Sequence, residues 1–137
     1  MTAPHAFLID DDEDYGLLLK HELLEMKIIS KVTFFKSGEE ALVYFVKLID
    51  GKRPAAEFPH LIILDLYLKG ESGLEILHRL KNCDRTKNIP VIINTASDDK
   101  GDLVEVYKKG GAVFVQKQAN NEFLCRVLNQ LKLTDRI

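Results

Sequence analysis

Five side chains of this sequence that could take part in chemistry stand at the ends of short apolar runs. They are the carboxylates of Asp10, Asp11 and Asp65, the hydroxyl of Thr95 and the ammonium of Lys117. Three carboxylates in one place repel one another unless a cation lies among them, and Mg²⁺ takes such oxygen ligands together with bound phosphate. A hydroxyl and an ammonium suit the oxygens of a phosphoryl group. If the five side chains converge, their types predict a site for a divalent metal and a phosphoryl group.

The alternative is an electrostatic cluster at strand ends in which Lys117 only neutralises an aspartate. Asp and Thr are common where strands give way to loops, so each residue alone is weak evidence, and the joint placement carries the argument. A zinc site is not indicated, because the four histidines lack the spacing of a ligand set. We expect these histidines on the surface or on helix faces: His5, His21, His60 and His78.

Apolar runs alternate five times along the chain with segments whose apolar residues recur at helical spacing. The runs comprise residues 6–9, 32–35, 61–64, 91–93 and 112–115. They are continuously apolar, which is typical of parallel strands covered by helices on both faces. Five strand–helix units predict an α/β fold in the form of a three-layer sandwich. Open parallel sheets bind ligands at the carboxyl ends of their strands, which is where the five side chains fall.

The second helix carries a clear start signal. Ser37 and Glu40 have the spacing of a capping box, in which a serine side chain and a glutamate three residues later satisfy free backbone N–H groups. A helix beginning there would place Leu42, Phe45 and Leu48 on one face.

The length of 137 residues fits one domain, which we expect to span residues 1–137 with a core at about 5–131. The net charge of −2 lacks the basic excess usual for binding to nucleic acid or a membrane surface, so we expect neither partner. Cys83 and Cys125 form no CxxC motif and are expected as reduced thiols on helices. The first residues lack a signal-peptide pattern, and we therefore expect a cytoplasmic protein.

Four short motifs resemble those of the receiver domain of two-component response regulators, the CheY-like family. In chain order they are Phe-Leu-Ile-Asp-Asp-Asp at 7–12, Leu-Ile-Ile-Leu-Asp at 61–65 with Gly73 eight residues later, Ile-Asn-Thr-Ala at 93–96, and Gly111-Ala112 with Phe114 and Lys117. The resemblance covers nearly the whole chain. It implies a flavodoxin-like fold with five helices and a five-stranded parallel sheet in the order 2-1-3-4-5.

The resemblance also implies roles for the acidic residues. Asp65 would be the phosphoacceptor, which takes a phosphoryl group from a phosphohistidine of a sensor kinase or of a phosphotransfer protein. Asp10, Asp11 and Asp65 would bind Mg²⁺, with the backbone carbonyl of Tyr67 completing the protein ligands.

Further roles follow from the resemblance for residues at the later strands. Thr95 would hydrogen-bond the phosphoryl group, and Lys117 would pair with it. Phe114 would be the switch aromatic that moves inward on activation. Ala96 fits the small residue that leaves the phosphoryl site accessible.

The function implied by the resemblance is that of a single-domain response regulator, which signals through contact with an unidentified downstream protein. Such a protein catalyses only its own aspartyl phosphorylation and slow dephosphorylation. A homodimer would use the face of the fourth helix, fifth strand and fifth helix, with these candidates: Val104, Tyr107, Lys108 and Gln116. One alternative is a pseudo-receiver that acts as a constitutive protein-binding module. Another is an aspartyl-phosphate phosphatase, although Tyr67 replaces the second aspartate of that class.

Two positions depart from the family pattern. Lys69 stands where the family usually has proline, four residues after the phosphoacceptor, and Lys117 precedes Gln118 in place of the usual proline. A cis bond before a residue other than proline costs about 2.5–4 kcal/mol, so we expect a trans Lys117–Gln118 bond. Neither position supplies a reacting atom, so both concern loop geometry and partner recognition.

Overall fold

The computed structural model of the chain describes residues 4–27, 29–51, 58–70, 72–96, 100–110, 113–117 and 121–131, with the backbone alone for residues 100, 102, 107 and 131. Within these residues, strands and helices alternate as the apolar pattern predicts. The elements are β1 (His5–Ile9), α1 (Glu13–Glu25), β2 (Lys31–Phe35), α2 (Gly38–Ile49), β3 (Leu61–Leu64), α3 (Gly73–Lys81), β4 (Val91–Thr95), α4 (Lys100–Lys108), β5 (Val113–Gln116) and α5 (Glu122–Leu131).

The strands form one parallel sheet in the order β2-β1-β3-β4-β5, which confirms the expected α/β topology. The strand order reverses between β1 and β3, the point at which sheets of this kind form a ligand crevice. Ile9 of β1 is aligned with Leu64 of β3, and Leu64 is aligned with Ile93 of β4. Thr95 of β4 is aligned with Gln116 of β5. The residues that follow these positions therefore meet at one edge of the sheet.

Side chains of the central strands alternate between two hydrophobic cores. On one face, Phe7 and Ile9 pack with residues of α2, α3 and α4. On the other face, Ala6 and Leu8 pack with residues of α1 and α5. Every residue of β1, β3 and β4 is buried, as the continuous apolar runs predict. The edge strands β2 and β5 are only partly buried, because each has a neighbouring strand on one side alone.

The start of α2 confirms the capping signal and refines its geometry. The hydroxyl of Ser37 accepts a hydrogen bond from the backbone N–H of Glu40 at 3.1 Å. The carboxylate of Glu40 reaches back to the backbone N–H of Lys36 at 3.2 Å, one residue before the position a capping box uses. The contact from Ser37 satisfies a donor that the helix start would otherwise leave free.

Two predictions about single residues were wrong. His5 is a buried residue of β1, and its Nε2 lies 2.7 Å from the Thr33 hydroxyl while its backbone N–H donates to Nδ1 of His60. The Thr33 hydroxyl is a partner for the buried ring, and His60 is a partner for the backbone N–H. Cys83 lies in the turn after α3, whereas Cys125 lies on α5 as expected; both thiols are free and partly buried.

Among the described residues, the helices are all too short or too polar to cross a lipid bilayer.

Candidate functional site

The carboxyl ends of β1 and β3 bring the three predicted carboxylates together. The backbone N–H of Asp65 donates to the carbonyl of Ile9. The first residue after β3 therefore lies beside the last residue of β1. Carboxylate oxygens of Asp10, Asp11 and Asp65 all lie within 4.8 Å of one another. Asp10 and Asp65 are buried and Asp11 is partly exposed. Within the described part of the chain, this is the one group of three or more acidic, histidine or cysteine side chains close enough to hold a metal ion.

Lys117 closes the cluster from the end of β5. Its backbone N–H donates to the carbonyl of Thr95 at 2.7 Å, which holds the residue beside the end of β4. Its Nζ lies 2.8 Å from Oδ2 of Asp10 and 2.8 Å from Oδ2 of Asp65. The lysine side chain is 15% exposed, so the ammonium is well shielded from water. Removing one partner of a shielded ion pair is costly, because the other charge is then left buried without compensation.

The electrostatics of the cluster follow from burial and from one shared cation. Burial raises the pKa of Asp10, an effect larger than the opposing hydrogen bonds from Lys117 and from the Asp12 backbone. For Lys117, burial lowers the pKa, but the bonds to Asp10 and Asp65 together outweigh it and leave the pKa raised. Lys117 is therefore a stable cation at neutral pH. One ammonium for three carboxylates leaves an excess of negative charge, which suits a further cation.

The hydroxyl of Thr95 is buried at the same edge of the sheet. Among the buried side-chain polar atoms that the structure describes, it alone lacks a hydrogen-bond partner. A buried hydroxyl without a partner is unfavourable and is uncommon in native structures. Its position, next to the strand end that Lys117 contacts, indicates a place for an oxygen-rich ligand.

The loop between β3 and α3 forms the open side of the site. The backbone N–H of Tyr67 donates to Oδ1 of Asp65 at 3.2 Å, and Tyr67 as a whole residue is 59% exposed. The predicted ligand role of the Tyr67 carbonyl stays a prediction. The first residue of α3, Gly73, lies against the backbone of Asp65 and Leu66, where a side chain would clash. The absence of a side chain there lets the helix start directly behind Asp65.

A cleft of about 380 Å³ runs from the acidic cluster along this loop. It is lined by Asp11, Leu66, Tyr67, Leu68, Lys69, Gly70, Ser72 and Leu74. Lys69, one of the two departures from the family pattern, thus lies on the wall of the cleft. The other, Gln118, lies outside the described residues, so the Lys117–Gln118 bond stays a prediction.

The predicted output face is described in part. Phe114 is partly buried and packs against the core shared with α2, α3 and α4. Val104, Lys108 and Gln116 are exposed, and the amide of Gln116 donates to the carbonyl of Ala96. The side chain of Tyr107, the remaining candidate, lies outside the described part of the chain.

Sequence reasoning missed Tyr15, which contacts Lys117, and the two asparagines that hold the Tyr15 hydroxyl. Tyr15 of α1 fits an apolar helix stripe, yet its ring centroid lies 4.6 Å from Nζ of Lys117. Its hydroxyl contacts Asn94 and Asn121. Asn94 is the residue that could have indicated this contact from the sequence. It is a polar residue in a fully buried strand, and buried polar side chains need hydrogen-bond partners.

The family model described as "Response regulator receiver domain" matches residues 6–129. The probable methanogenesis regulatory protein FilR2 of Methanothrix harundinacea is 26% identical over 125 residues, which cover 91% of this chain and 79% of that protein.

Two solved structures extend the comparison. The phosphorylated cyanobacterial phytochrome response regulator RcpA has a TM-score of 0.79 at 26% identity, covering 94% of this chain and 91% of that chain. Response regulator TrrA of Thermotoga maritima, in complex with Mg²⁺ and BeF, has a TM-score of 0.72 at 25% identity, covering 93% and 98%. The sheet order, the acidic cluster at its carboxyl edge and these matches agree: this chain belongs to the response regulator receiver domain family.

Proposed function

We propose that this chain is a phosphorylatable single-domain response regulator, in which Asp65 accepts a phosphoryl group from a phosphohistidine of a sensor kinase or phosphotransfer protein. One observation carries the proposal. The ammonium of Lys117 bridges two buried carboxylates at the same sheet edge where the buried Thr95 hydroxyl lacks a partner among the described residues. A phosphoryl group on Asp65 would give both groups oxygen atoms to bind.

The reaction assigns a separate task to each side chain. A carboxylate oxygen of Asp65 forms the new bond to phosphorus, while the bond from phosphorus to the histidine nitrogen breaks and its electron pair stays on the imidazole. Lys117 offsets negative charge on the transferred group, and Thr95 donates a hydrogen bond to one of its oxygens. The Tyr67 N–H, which already donates to Asp65, orients the nucleophile.

The residues at the site fit a hard divalent cation. Asp10, Asp11 and Asp65 offer carboxylate oxygens within 4.8 Å of one another, and together with the carbonyl of Tyr67 they would hold Mg²⁺. When bound, the metal supplies charge neutralisation between the acceptor and the incoming phosphate. The similar TrrA protein of Thermotoga maritima was solved in complex with Mg²⁺ and BeF, which supports this assignment.

Output would follow from capture of the phosphoryl group by Thr95. Thr95 would move toward the phosphoryl group and open space into which Phe114, now partly buried, would turn. The altered face of α4, β5 and α5 would bind a downstream protein or a second copy of the chain. The domain would span residues 1–137 and act in the cytoplasm, without nucleic acid or membrane as a partner.

The test is phosphorylation by acetyl phosphate in Mg²⁺, followed by intact-protein mass spectrometry. The proposal expects a phosphate mass increment that is labile to hydroxylamine, as an acyl phosphate is. The increment should be absent from Asp65→Asn, since an amide lacks the nucleophilic carboxylate, and absent in excess chelator. Circular dichroism of Asp65→Asn controls for folding. An increment that persists in Asp65→Asn would move the acceptor elsewhere.

The same experiment separates the two alternatives. A pseudo-receiver would show no increment under any condition. An aspartyl-phosphate phosphatase would release phosphate from many esters over multiple turnovers. Either result would replace the proposed function.

A further inference from the structure

The ammonium of Lys117 has an aromatic contact in addition to its two carboxylate partners. Asp10 and Asp65 hold Nζ at 2.8 Å each, and the ring of Tyr15 has its centroid 4.6 Å from the same atom. An ammonium within about 6 Å of a ring centroid is attracted by the negative face of the ring, more strongly where water is excluded. Tyr15 is therefore a third contact of the Lys117 ammonium, in addition to the two carboxylates.

The ring of Tyr15 is itself held by its hydroxyl. The hydroxyl donates to Oδ1 of Asn94 at 2.6 Å and lies 3.1 Å from Oδ1 of Asn121. The amide of Asn94 is oriented by its own hydrogen bond to the carbonyl of Val115, and the amide of Asn121 faces the carboxylate of Glu22. One residue of β4 and the residue just before α5 thus hold the hydroxyl of this α1 tyrosine.

Burial raises the pKa of Tyr15 to about 12, so its hydroxyl stays protonated and remains a donor at neutral pH. Asn94 and Thr95 are consecutive in β4, and Asn94 is 1% exposed. The tyrosine is therefore anchored to the same strand end that carries the unpartnered hydroxyl. This arrangement ties the position of the ring to the geometry of the site.

We propose that Tyr15 is a positioning residue for Lys117: its ring holds the ammonium in place, and its tethers to Asn94 and Asn121 hold the ring. A lysine side chain is flexible and loses considerable rotamer freedom when it is confined. Its contact with Asp65 changes when that carboxylate becomes an acyl phosphate. The contact with Tyr15 does not involve Asp65, so it keeps the ammonium directed at the site throughout the transfer.

The first test measures the contact itself and needs no phosphorylation. Protons above an aromatic ring resonate upfield, so the Lys117 side-chain methylene protons, identified by their loss in Lys117→Arg, should be shifted upfield in the NMR spectrum of the wild-type protein. The shift should disappear in Tyr15→Leu and be reduced in Tyr15→Phe, which keeps the ring and loses its tethers. Tyr44→Leu is the matched control, because Tyr44 is a partly buried tyrosine of α2 that packs on Phe7 and Phe35.

The second test measures the consequence for chemistry and rests on the proposed function. The initial rate of phosphorylation by acetyl phosphate in Mg²⁺ should fall roughly three- to tenfold in Tyr15→Leu, the size expected for losing one shielded cation–aromatic contact. Tyr15→Phe should be less impaired, and Tyr44→Leu should react at the wild-type rate. In a Lys117→Met background, Tyr15→Leu should cause no further loss, because its effect passes through Lys117.

The outcomes are distinguishable. An unchanged Lys117 spectrum in Tyr15→Leu would overturn the positioning role, as would a wild-type rate in that variant or an equal loss in Tyr44→Leu. If the wild-type protein accepts no phosphoryl group, the proposed function fails, while the NMR comparison still decides whether Tyr15 holds Lys117. In that situation, a folded Tyr15→Leu protein with a displaced Lys117 signal supports the proposal.

Discussion

The Nζ of Lys117 lies 2.8 Å from Oδ2 of Asp65, although the two residues are 52 positions apart in the chain. The pair spans β3 and β5, which are not neighbours in the sheet, and the intervening β4 carries Thr95 between them. The same ammonium lies 2.8 Å from Asp10. A single cation thereby links the ends of three strands, and its removal should affect stability and chemistry together.

We expect Lys117→Met to lower the thermal midpoint of unfolding in chelator, because removing one partner of a shielded ion pair costs about 3–5 kcal/mol. Added Mg²⁺ should restore much of the loss, since a divalent cation can replace the ammonium between the carboxylates.

Phosphorylation of Lys117→Met should fall about a hundredfold, the usual cost of one lost charge-stabilising donor. Calorimetric titration should show tighter Mg²⁺ binding than in wild type. Weaker binding would contradict competition between the two cations.

Asp10→Asn should raise stability, because it removes a carboxylate whose burial is unfavourable while Lys117 keeps Asp65 as a partner. Burial raises the pKa of Asp10 above 3.8, so the folded state favours the protonated carboxyl. The stability that this provides is fully present below pH 3.8 and is lost as pH rises through the raised pKa. The stability of Asp10→Asn relative to wild type should therefore increase with pH, measured by urea unfolding in chelator from about pH 4.5 to 7.

Two comparisons sharpen the Asp10 experiment. Asp14→Asn removes an exposed carboxylate of α1 and should change stability little. Added Mg²⁺ should stabilise wild type more than Asp10→Asn, because ligand binding stabilises the state that binds it. A stability difference that shrinks as pH rises would show that Asp10 is not destabilised in its charged form.

Gly73→Ala should destabilise the protein and slow phosphorylation. A Cβ at this position would lie 2.6 Å from the Cα of Leu66 and still closer to the carbonyl oxygen of Asp65, so α3 must move away from the site. Such overpacking costs about 1–3 kcal/mol. The control is Gly70→Ala on the same loop, where a Cβ meets open space and the cost is limited to the backbone strain of φ +84°. Equal phosphorylation rates for the two variants would contradict the role of the close approach.

Phosphorylation should change amide hydrogen exchange in the segment 97–114, which leads from the end of β4 to Phe114. The physical reason is that capture of the phosphoryl group draws Thr95 inward and makes room for the partly buried Phe114. The central strands β1 and β3 provide an internal reference, because all of their residues are buried. An exchange pattern identical in both states would indicate that Phe114 is an ordinary core aromatic.

Much of the fold could be predicted from the sequence because buried strands and helices have characteristic patterns of apolar residues along the chain. Continuous apolar runs mark the strands, and they predict β3 residue for residue as Leu61–Leu64. The polar residues that end those runs mark the carboxyl edge of the sheet, so the sequence alone identifies Asp10, Asp65 and Thr95. The spacing of Ser37 and Glu40 locates the start of α2 for the same local reason.

Predictions were wrong or incomplete where a residue was placed according to the usual location of its amino-acid type. His5 is buried and not at the surface, because Thr33 and His60 supply partners for its ring and backbone. Tyr15 fits a core stripe by its spacing, and no periodicity distinguishes a tyrosine that only packs from one that contacts a cation.

The tertiary structure alone decided which of the polar side chains touch. Lys117 meets both Asp10 and Asp65, and Thr95 is left without a partner among the described residues, because the strand order and the direction of each side chain place them so. Sequence patterns record how each residue is buried along its own element. Distances between residues far apart in the chain depend on how the elements are arranged, which hydrophobic periodicity does not encode.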